Sequence, residues 1–230
     1  KIIMKKTIVL FGGSSDLALA LCLKLSDGFN IINVSSSSTN LNHKNIEEVK
    51  LTNYNEKELL EFLLSLSKKD EYIFLFMNGI TDSKAFYKID SEEISQIIKV
   101  NFELPVLITN LIVKNFILKK TKYVYFSSSR ALLGGRGISL YSSTKSALKY
   151  FAKSLSLEYG KFNHFFYTIS LGVFEKGLVK KVKKPELEKI IKRSALNKYV
   201  EVDELVRAIN FISENDSATG SVLNIDNGYF

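Results

Sequence analysis

Cysteine and histidine are scarce in this chain of 230 residues, which has one of the first, Cys22, and two of the second. A single thiol excludes an internal disulfide. Within Leu-Ala-Leu-Cys-Leu it reads as a buried structural group, which fits a reducing cytoplasm. Two histidines and one cysteine make no credible zinc site, so a metal is not expected. No apolar stretch approaches membrane-spanning length, so a membrane partner is not expected either. The lysines and apolar run at the start are broken after Phe11 by Gly-Gly-Ser-Ser-Asp, too early for the apolar region of a signal peptide. What is present is ordinary for a soluble globular protein: 46% apolar and 24% charged residues, in a length that buries a sizeable core as a single domain over 1–230.

The net charge of +8 is unevenly spread. Residues 171–200 hold nine basic side chains (Lys176, Lys180, Lys181, Lys183, Lys184, Lys189, Lys192, Arg193 and Lys198) against three acids, Glu175, Glu186 and Glu188. With one aromatic, Tyr199, and no recognition-helix pattern, the segment does not read as a nucleic-acid surface. An anionic small molecule, an acidic carrier protein, or a merely solvated lysine-rich surface all suit it.

Short apolar runs alternate with longer periodic segments, without repeats or linkers. Strands are expected at 7–11, 30–35, 47–51 (weaker), 72–77, 123–127, 165–170 and 221–225, and helices at 15–26, 55–67, 91–118, 139–159 and 201–213. Ser91 is the expected N-cap of the third helix, with Glu92 and Glu93 in its first turn. The almost wholly apolar stretch 72–77 suits a strand covered on both faces. Strand and helix alternating throughout predict an α/β doubly wound parallel sheet in three layers, with ligands beyond the carboxyl ends of the strands.

Tyr141 and Lys145, in Tyr-Ser-Ser-Thr-Lys, share one helix face, where an ammonium lowers the pKa of a neighbouring phenol toward the operating pH. Alone the pair proves little, because roughly one Tyr-x-x-x-Lys is expected by chance in a chain so rich in both residues. The turn after the first strand, Phe11-Gly12-Gly13-Ser14-Ser15-Asp16-Leu17-Ala18, lets backbone approach a pyrophosphate at a helix N-terminus. Pro105 has no N–H, so the Asn101 carbonyl makes no α-helical bond, leaving either a helix kink or a free acceptor.

Together these residues resemble the compact form of the short-chain dehydrogenase/reductase family, and the resemblance covers nearly the whole chain. Its glycine motif falls on Phe11–Ala18 with Gly12 kept, while Asp16 and Ala18 replace the second and third glycines. Asp16 is expected to cap the helix with its carboxylate turned away from the phosphates. Ser128 stands 13 residues before Tyr141, the family's spacing, and pleat alternation turns Ser127 and Ser129 elsewhere. The resemblance implies a catalytic set of Asn101, Ser128, Tyr141 and Lys145. In it Lys145 lowers the Tyr141 pKa, and Asn101 holds a water of a proton relay. It implies cofactor contacts at Gly12, Ser14, Ser15, Asp16, Leu17, Ser35, Ser36, Asn78, Gly79, Tyr141, Lys145, Gly172 and Val173. In Met77-Asn78-Gly79 only the glycine matches securely, and Gly172 follows the sixth strand where backbone faces the nicotinamide. Thr219-Gly220 to Asp226 and Gly228 match the family's closing motif.

The chain departs from the pattern at the adenine end. Lys50 stands where an aspartate is usual, and the second strand ends in Val34-Ser35-Ser36-Ser37-Ser38 without an acid. Serine hydroxyls and Lys44 favour NADP(H) over NAD(H), while a polar loop without preference is the other reading. The resemblance thus implies an NADP(H)-dependent carbonyl reductase or alcohol dehydrogenase with a lysine-rich substrate lid at about 173–200. The substrate is a small molecule, and an anionic one fits the lid: a nucleotide-linked sugar, or a 3-oxoacyl chain on an acidic carrier protein. A sugar-nucleotide epimerase or dehydratase is a rival, disfavoured by the short tail after the sixth strand. A non-catalytic nucleotide sensor is another. Relatives pair through the two long helices into homodimers or homotetramers, and Leu148, Phe151, Leu155 and Leu157 serve either that contact or the core.

Overall fold

The computed structural model describes residues 6–67, 71–116 and 120–229. Seven parallel strands form one sheet in the order β3-β2-β1-β4-β5-β6-β7. They are β1 (Thr7–Phe11), β2 (Asn30–Ser35), β3 (Ile46–Lys50), β4 (Tyr72–Phe76), β5 (Thr121–Ser128), β6 (His164–Leu171) and β7 (Val222–Ile225). The order reverses between β1 and β4, and the crevice there lies at the carboxyl ends of both strands.

The two sheet faces bury separate apolar cores, as helices on both sides require. On one face Phe11, Phe74, Phe76, Tyr123, Tyr125 and Phe166 form an aromatic ladder across four strands. Phe76 and Tyr125 stack at 4.9 Å and Tyr123 and Phe166 at 4.4 Å. The alternate residues Ile73, Leu75, Val124 and Phe126 face the other core. Cys22 belongs to that second core, where burial pushes its thiol up to about 12.

Helices α1 (Asp16–Leu25) and α2 (Glu56–Ser65) follow the first and third strands. The expected long helix at 91–118 is α3 (Ser91–Ile98), a π-helical segment (Lys99–Glu103) and α4 (Leu104–Phe116), its end at Leu118 lying outside the described residues. Its N-cap is Asp90, not Ser91. The Asp90 carboxylate accepts from the Glu93 amide at 2.9 Å while Glu93 reaches back to the Asp90 amide, a reciprocal box that Ser91, one residue further in, does not form. Pro105 takes effect as a π-bulge, in which Leu104 N–H reaches back five residues to the Lys99 carbonyl. By length and composition the run Ser91–Asn115 is apolar enough to span a membrane, contrary to the sequence reading. Half of its apolar window is buried, as befits a core helix.

Beyond β5 come the short α5 (Ser129–Leu133) and the 21-residue α6 (Ser139–Tyr159). The lysine-rich segment is partly helical, with a 3-10 turn (Gly177–Lys181) and α7 (Lys184–Ile191), before α8 (Val202–Glu214). Of the four apolar α6 residues, Leu148 is in the core, Phe151 and Leu155 pack against it, and only Leu157 is exposed.

Candidate active site

A cavity of about 380 Å³ opens at the carboxyl ends of β1, β4, β5 and β6. Ser15, Asp16 and Leu17 line it from the glycine turn, Gly79 from beyond β4, Ser128 from β5, and Tyr141 and Lys145 from α6. The lysine-rich segment expected to act as a lid contributes Val173, Phe174, Leu178, Val179, Val182 and Ile190. Its two ends are tied together where Val200 N–H donates to the Val173 carbonyl at 2.8 Å.

Three adjacent serines, two ending β5 and the third opening α5, go three ways. Ser127 Oγ donates to the Lys145 carbonyl at 2.8 Å, and Ser129 Oγ donates to the Asp226 carboxylate at 2.5 Å. Ser128 is left lining the cavity, with its hydroxyl near enough to the Tyr141 phenol to lower that phenol's pKa. The start of α6 is capped from a distant loop by Asp82, whose Oδ2 accepts from Leu140 N–H at 3.2 Å.

Lys145 is buried, and its Nζ donates to the Asn78 carbonyl at 2.7 Å. Burial pulls its pKa down to about 8. Gly79 makes room for it, since a Cβ there would stand 3.2 Å from Nζ. Asn101 is fully buried, and its side chain clasps one residue from both sides. Oδ1 accepts from Ile80 N–H at 2.8 Å and Nδ2 donates to the Ile80 carbonyl at 2.9 Å. A further bond from Nδ2 to Thr144 Oγ1 at 3.1 Å ties this clasp to α6.

Burial raises the Tyr141 pKa, opposed by the Ser128 hydroxyl and then by the charge of Arg130. Lys145, expected to lower it, directs its ammonium at the Asn78 carbonyl in this structure, and the charge that lowers the phenol's pKa comes from Arg130. Arg130 also lines the cavity and carried no signal in the sequence beyond standing two residues after Ser128.

The glycine turn departs from expectation at Asp16. The cap of α1 is Ser15, whose Oγ accepts from Ala18 N–H at 3.2 Å. The Asp16 carboxylate turns instead to the lid, accepting from Gly177 N–H at 2.6 Å and pairing with Lys180. Burial raises its pKa, but Lys180 and the Gly177 amide outweigh this and hold the carboxyl below its usual range. Gly12, at φ +85°, packs on the end of β4, where a Cβ would stand 2.6 Å from Asn78 N. Gly172 lines the cavity, but its lack of a side chain serves β7: a Cβ would meet Asp226 Cα at 2.5 Å. Among the described side chains of the nine basic residues of 171–200 only Lys176 lines the cavity, and Lys180 is engaged by Asp16. The Lys181 side chain lies outside the described residues.

At the adenine end Ser35 is buried, its hydroxyl donating to the Ser37 carbonyl at 2.5 Å, while Ser36 is exposed. Lys50 pairs with Ser35 in the β2–β3 register. An acid missed in the sequence lies nearby. Glu48 accepts from Leu41 N–H at 2.7 Å and from the Thr39 hydroxyl, which fastens the loop after β2.

These residues suit a dinucleotide carrying a nicotinamide. The Asn78 side-chain oxygen is buried with no hydrogen-bond partner among the described residues, Ser14 and Ser15 are exposed at the α1 N-terminus, and Lys180 neutralises the acid in the turn.

A family model described as enoyl-(acyl carrier protein) reductase matches residues 72–230. An L-xylulose reductase of Caenorhabditis elegans is 26% identical over 243 residues, covering 97% of this chain and 95% of that protein. A 3-oxoacyl-[acyl-carrier-protein] reductase of Buchnera aphidicola subsp. Schizaphis graminum is 25% identical over 248 residues, covering 99% and 98%. The fold superimposes on a 4-hydroxyisoleucine dehydrogenase mutant complexed with NADH and succinate with a TM-score of 0.87 and 21% identity, over 97% of this chain and 98% of that one. With well over half of its length matched by the family model, the chain belongs to the short-chain dehydrogenase/reductase family, oxidoreductases of CH–OH and C=O groups.

Proposed function

We propose that the protein is an NADP(H)-dependent carbonyl reductase or alcohol dehydrogenase acting on an anionic small molecule, with Tyr141 as its acid–base group. The observation that carries this reading is the cavity wall shared by Tyr141, Ser128 and Lys145, closed by the lid. A bound nicotinamide supplies or accepts the hydride. Tyr141, kept protonated at neutral pH by burial, gives its proton to the carbonyl oxygen in the reducing direction. Ser128 hydrogen-bonds the same oxygen. Lys145 and the Asn101 clasp fix the 78–80 backbone, and Asn78, Gly79, Gly172 and Val173 would hold the nicotinamide end of the cofactor. The carbonyl of Asn101, in the π-bulge, holds the relay water.

Support for NADP(H) comes from the exposed hydroxyls of Ser36, Ser37 and Ser38 and from Lys44, with the Glu48 carboxylate engaged by its own loop. The reductases of C. elegans and Buchnera support the reducing direction. Fluorescence titration with NADPH and NADH, followed by carbonyl substrates monitored at 340 nm, tests the reading. Tyr141→Phe is expected to lose about 100-fold or more in turnover while still binding cofactor. Near-normal hydride transfer in that variant would remove the assignment.

A further inference from the structure

The cavity contains a cation to which the chemistry above assigns no ligand. Arg130 projects into it from α5, two residues beyond Ser128. Among the described residues its guanidinium has no carboxylate partner and donates no hydrogen bond to the protein. The other charges of the cavity are engaged or solvated. Asp16 is held by Gly177 and Lys180, Lys145 by the Asn78 carbonyl, and Lys176 is exposed. A partly buried, unpaired guanidinium is costly unless an anion meets it.

Its position is built. Ser129 is tied to buried Asp226, Ser146 Oγ donates to the Ala131 carbonyl at 2.8 Å, and Ser142 Oγ approaches the Arg130 carbonyl at 3.5 Å. Two α6 hydroxyls thus fix the backbone of Arg130 and Ala131 relative to Tyr141, and Ser129 fixes it on the other side through Asp226. Gly135 leaves space beside the guanidinium, since a Cβ there would stand 2.8 Å from Ile138 Cδ1 and 3.5 Å from Arg130 Nη2. The charge also reaches the phenol.

We propose that Arg130 is a substrate-anchoring residue and that the substrate is a small aliphatic oxo- or hydroxy-carboxylic acid. Its carboxylate sits on the guanidinium while its carbonyl or hydroxyl oxygen meets Ser128 and Tyr141. This rests on the oxidoreductase reading above and narrows its substrate. The planar fork of an arginine matches a carboxylate with two parallel hydrogen bonds. The short separation of Arg130 from Ser128 in sequence places the acid group near the reacting carbon. A cavity of about 380 Å³ that also admits a nicotinamide leaves room for a short chain, and Ile138, Leu178, Val179 and Val182 give it an apolar wall.

The test compares 2-oxo and 3-oxo acids of four to six carbons with their methyl esters, using whichever of NADPH and NADH binds, for the wild type, Arg130→Gln and Arg130→Lys. The wild type is expected to prefer the free acid by about 10- to 100-fold in kcat/KM. Arg130→Gln brings the acid-to-ester ratio toward one, mainly through KM, and Arg130→Lys restores part of it. Equal use of acid and ester by the wild type overturns the proposal, as does a preference retained in Arg130→Gln. If Arg130→Gln fails to bind cofactor, the wild-type ratio and its partial loss in Arg130→Lys decide. Turnover of neutral carbonyls or carrier-linked thioesters but not free acids overturns the anchor and leaves the oxidoreductase reading standing. Absence of cofactor oxidation with every class of carbonyl compound overturns both.

Discussion

The carboxylate of Asp16 accepts a hydrogen bond from the amide of Gly177 at 2.6 Å, joining the turn after the first strand to the lid 161 residues further along the chain. Gly177 is at φ +82°, the left-handed region, so the lid turns sharply there and points its amide at the carboxylate. Lys180, one 3-10 turn on, pairs with the other carboxylate oxygen. A residue that looks hostile to a phosphate is thereby neutralised and tied to the lysine-rich segment.

Asp16→Asn keeps the size of the side chain and removes its charge. The ion pair is largely solvent-exposed, so the loss is on the order of 1 kcal/mol after screening. That corresponds to about fivefold faster opening of the lid. Limited trypsin digestion reads it directly, because the lid is rich in exposed lysines. Unchanged cleavage in the 176–192 segment would show that the latch does not hold the lid.

Asn101→Ala leaves the Ile80 N–H and carbonyl without their side-chain partners in a half-buried setting. The expected cost is about 2–4 kcal/mol, from two orphaned backbone groups. Urea unfolding shows it as a lower midpoint with an unchanged slope. The same variant loosens the segment that carries Asn78 and Gly79, so cofactor affinity falls along with stability.

The sheet and its order of elements were legible because each strand is a short apolar run and each helix a longer periodic one. The π-bulge was half legible: Pro105 marks the broken hydrogen bond, but not the form the backbone takes around it. Ser128 was singled out by the family's spacing to Tyr141 with pleat alternation in support, and the structure sends Ser127 to the Lys145 carbonyl and Ser129, which opens α5, to Asp226. What was not legible depends on partners distant in sequence. Nothing near Asp16 announces Gly177 or Lys180, and nothing near Leu140 announces the cap from Asp82. Asp90 and Ser91 are both good caps, so only geometry separates them. A lone arginine after a serine run carries no pattern, and its importance appears only when the cavity is assembled around it.

Gly172→Ala tests the junction of β6 with the chain end. The added methyl would stand 2.5 Å from Asp226 Cα and 3.1 Å from its carbonyl carbon, both backbone atoms that yield only if β7 shifts. Overpacking of this kind costs about 1–3 kcal/mol. Thermal unfolding is expected to fall by roughly 3–9 °C for a domain of this size. Displacing Asp226 also disturbs its bond to Ser129, so turnover falls further than stability alone accounts for.

Lys145 links the site to pH. Burial brings its pKa from 10.5 down to about 8, so in the folded protein the ammonium deprotonates while in the unfolded chain it is still charged. Between those values the unfolded state binds more protons, and the slope of unfolding free energy with pH is positive. The lysine therefore imposes its full cost below about pH 8, and that cost disappears as pH rises toward 10.5. The amount is on the order of 3 kcal/mol for a shift of this size. Lys145→Met removes the titration altogether. Denaturant unfolding from pH 7 to 10.5 should show the wild type gaining stability relative to Lys145→Met as pH rises. Parallel curves for the two proteins would mean that Lys145 stays charged in the folded state across that range. Its ammonium would then keep its full charge toward the cofactor at every working pH.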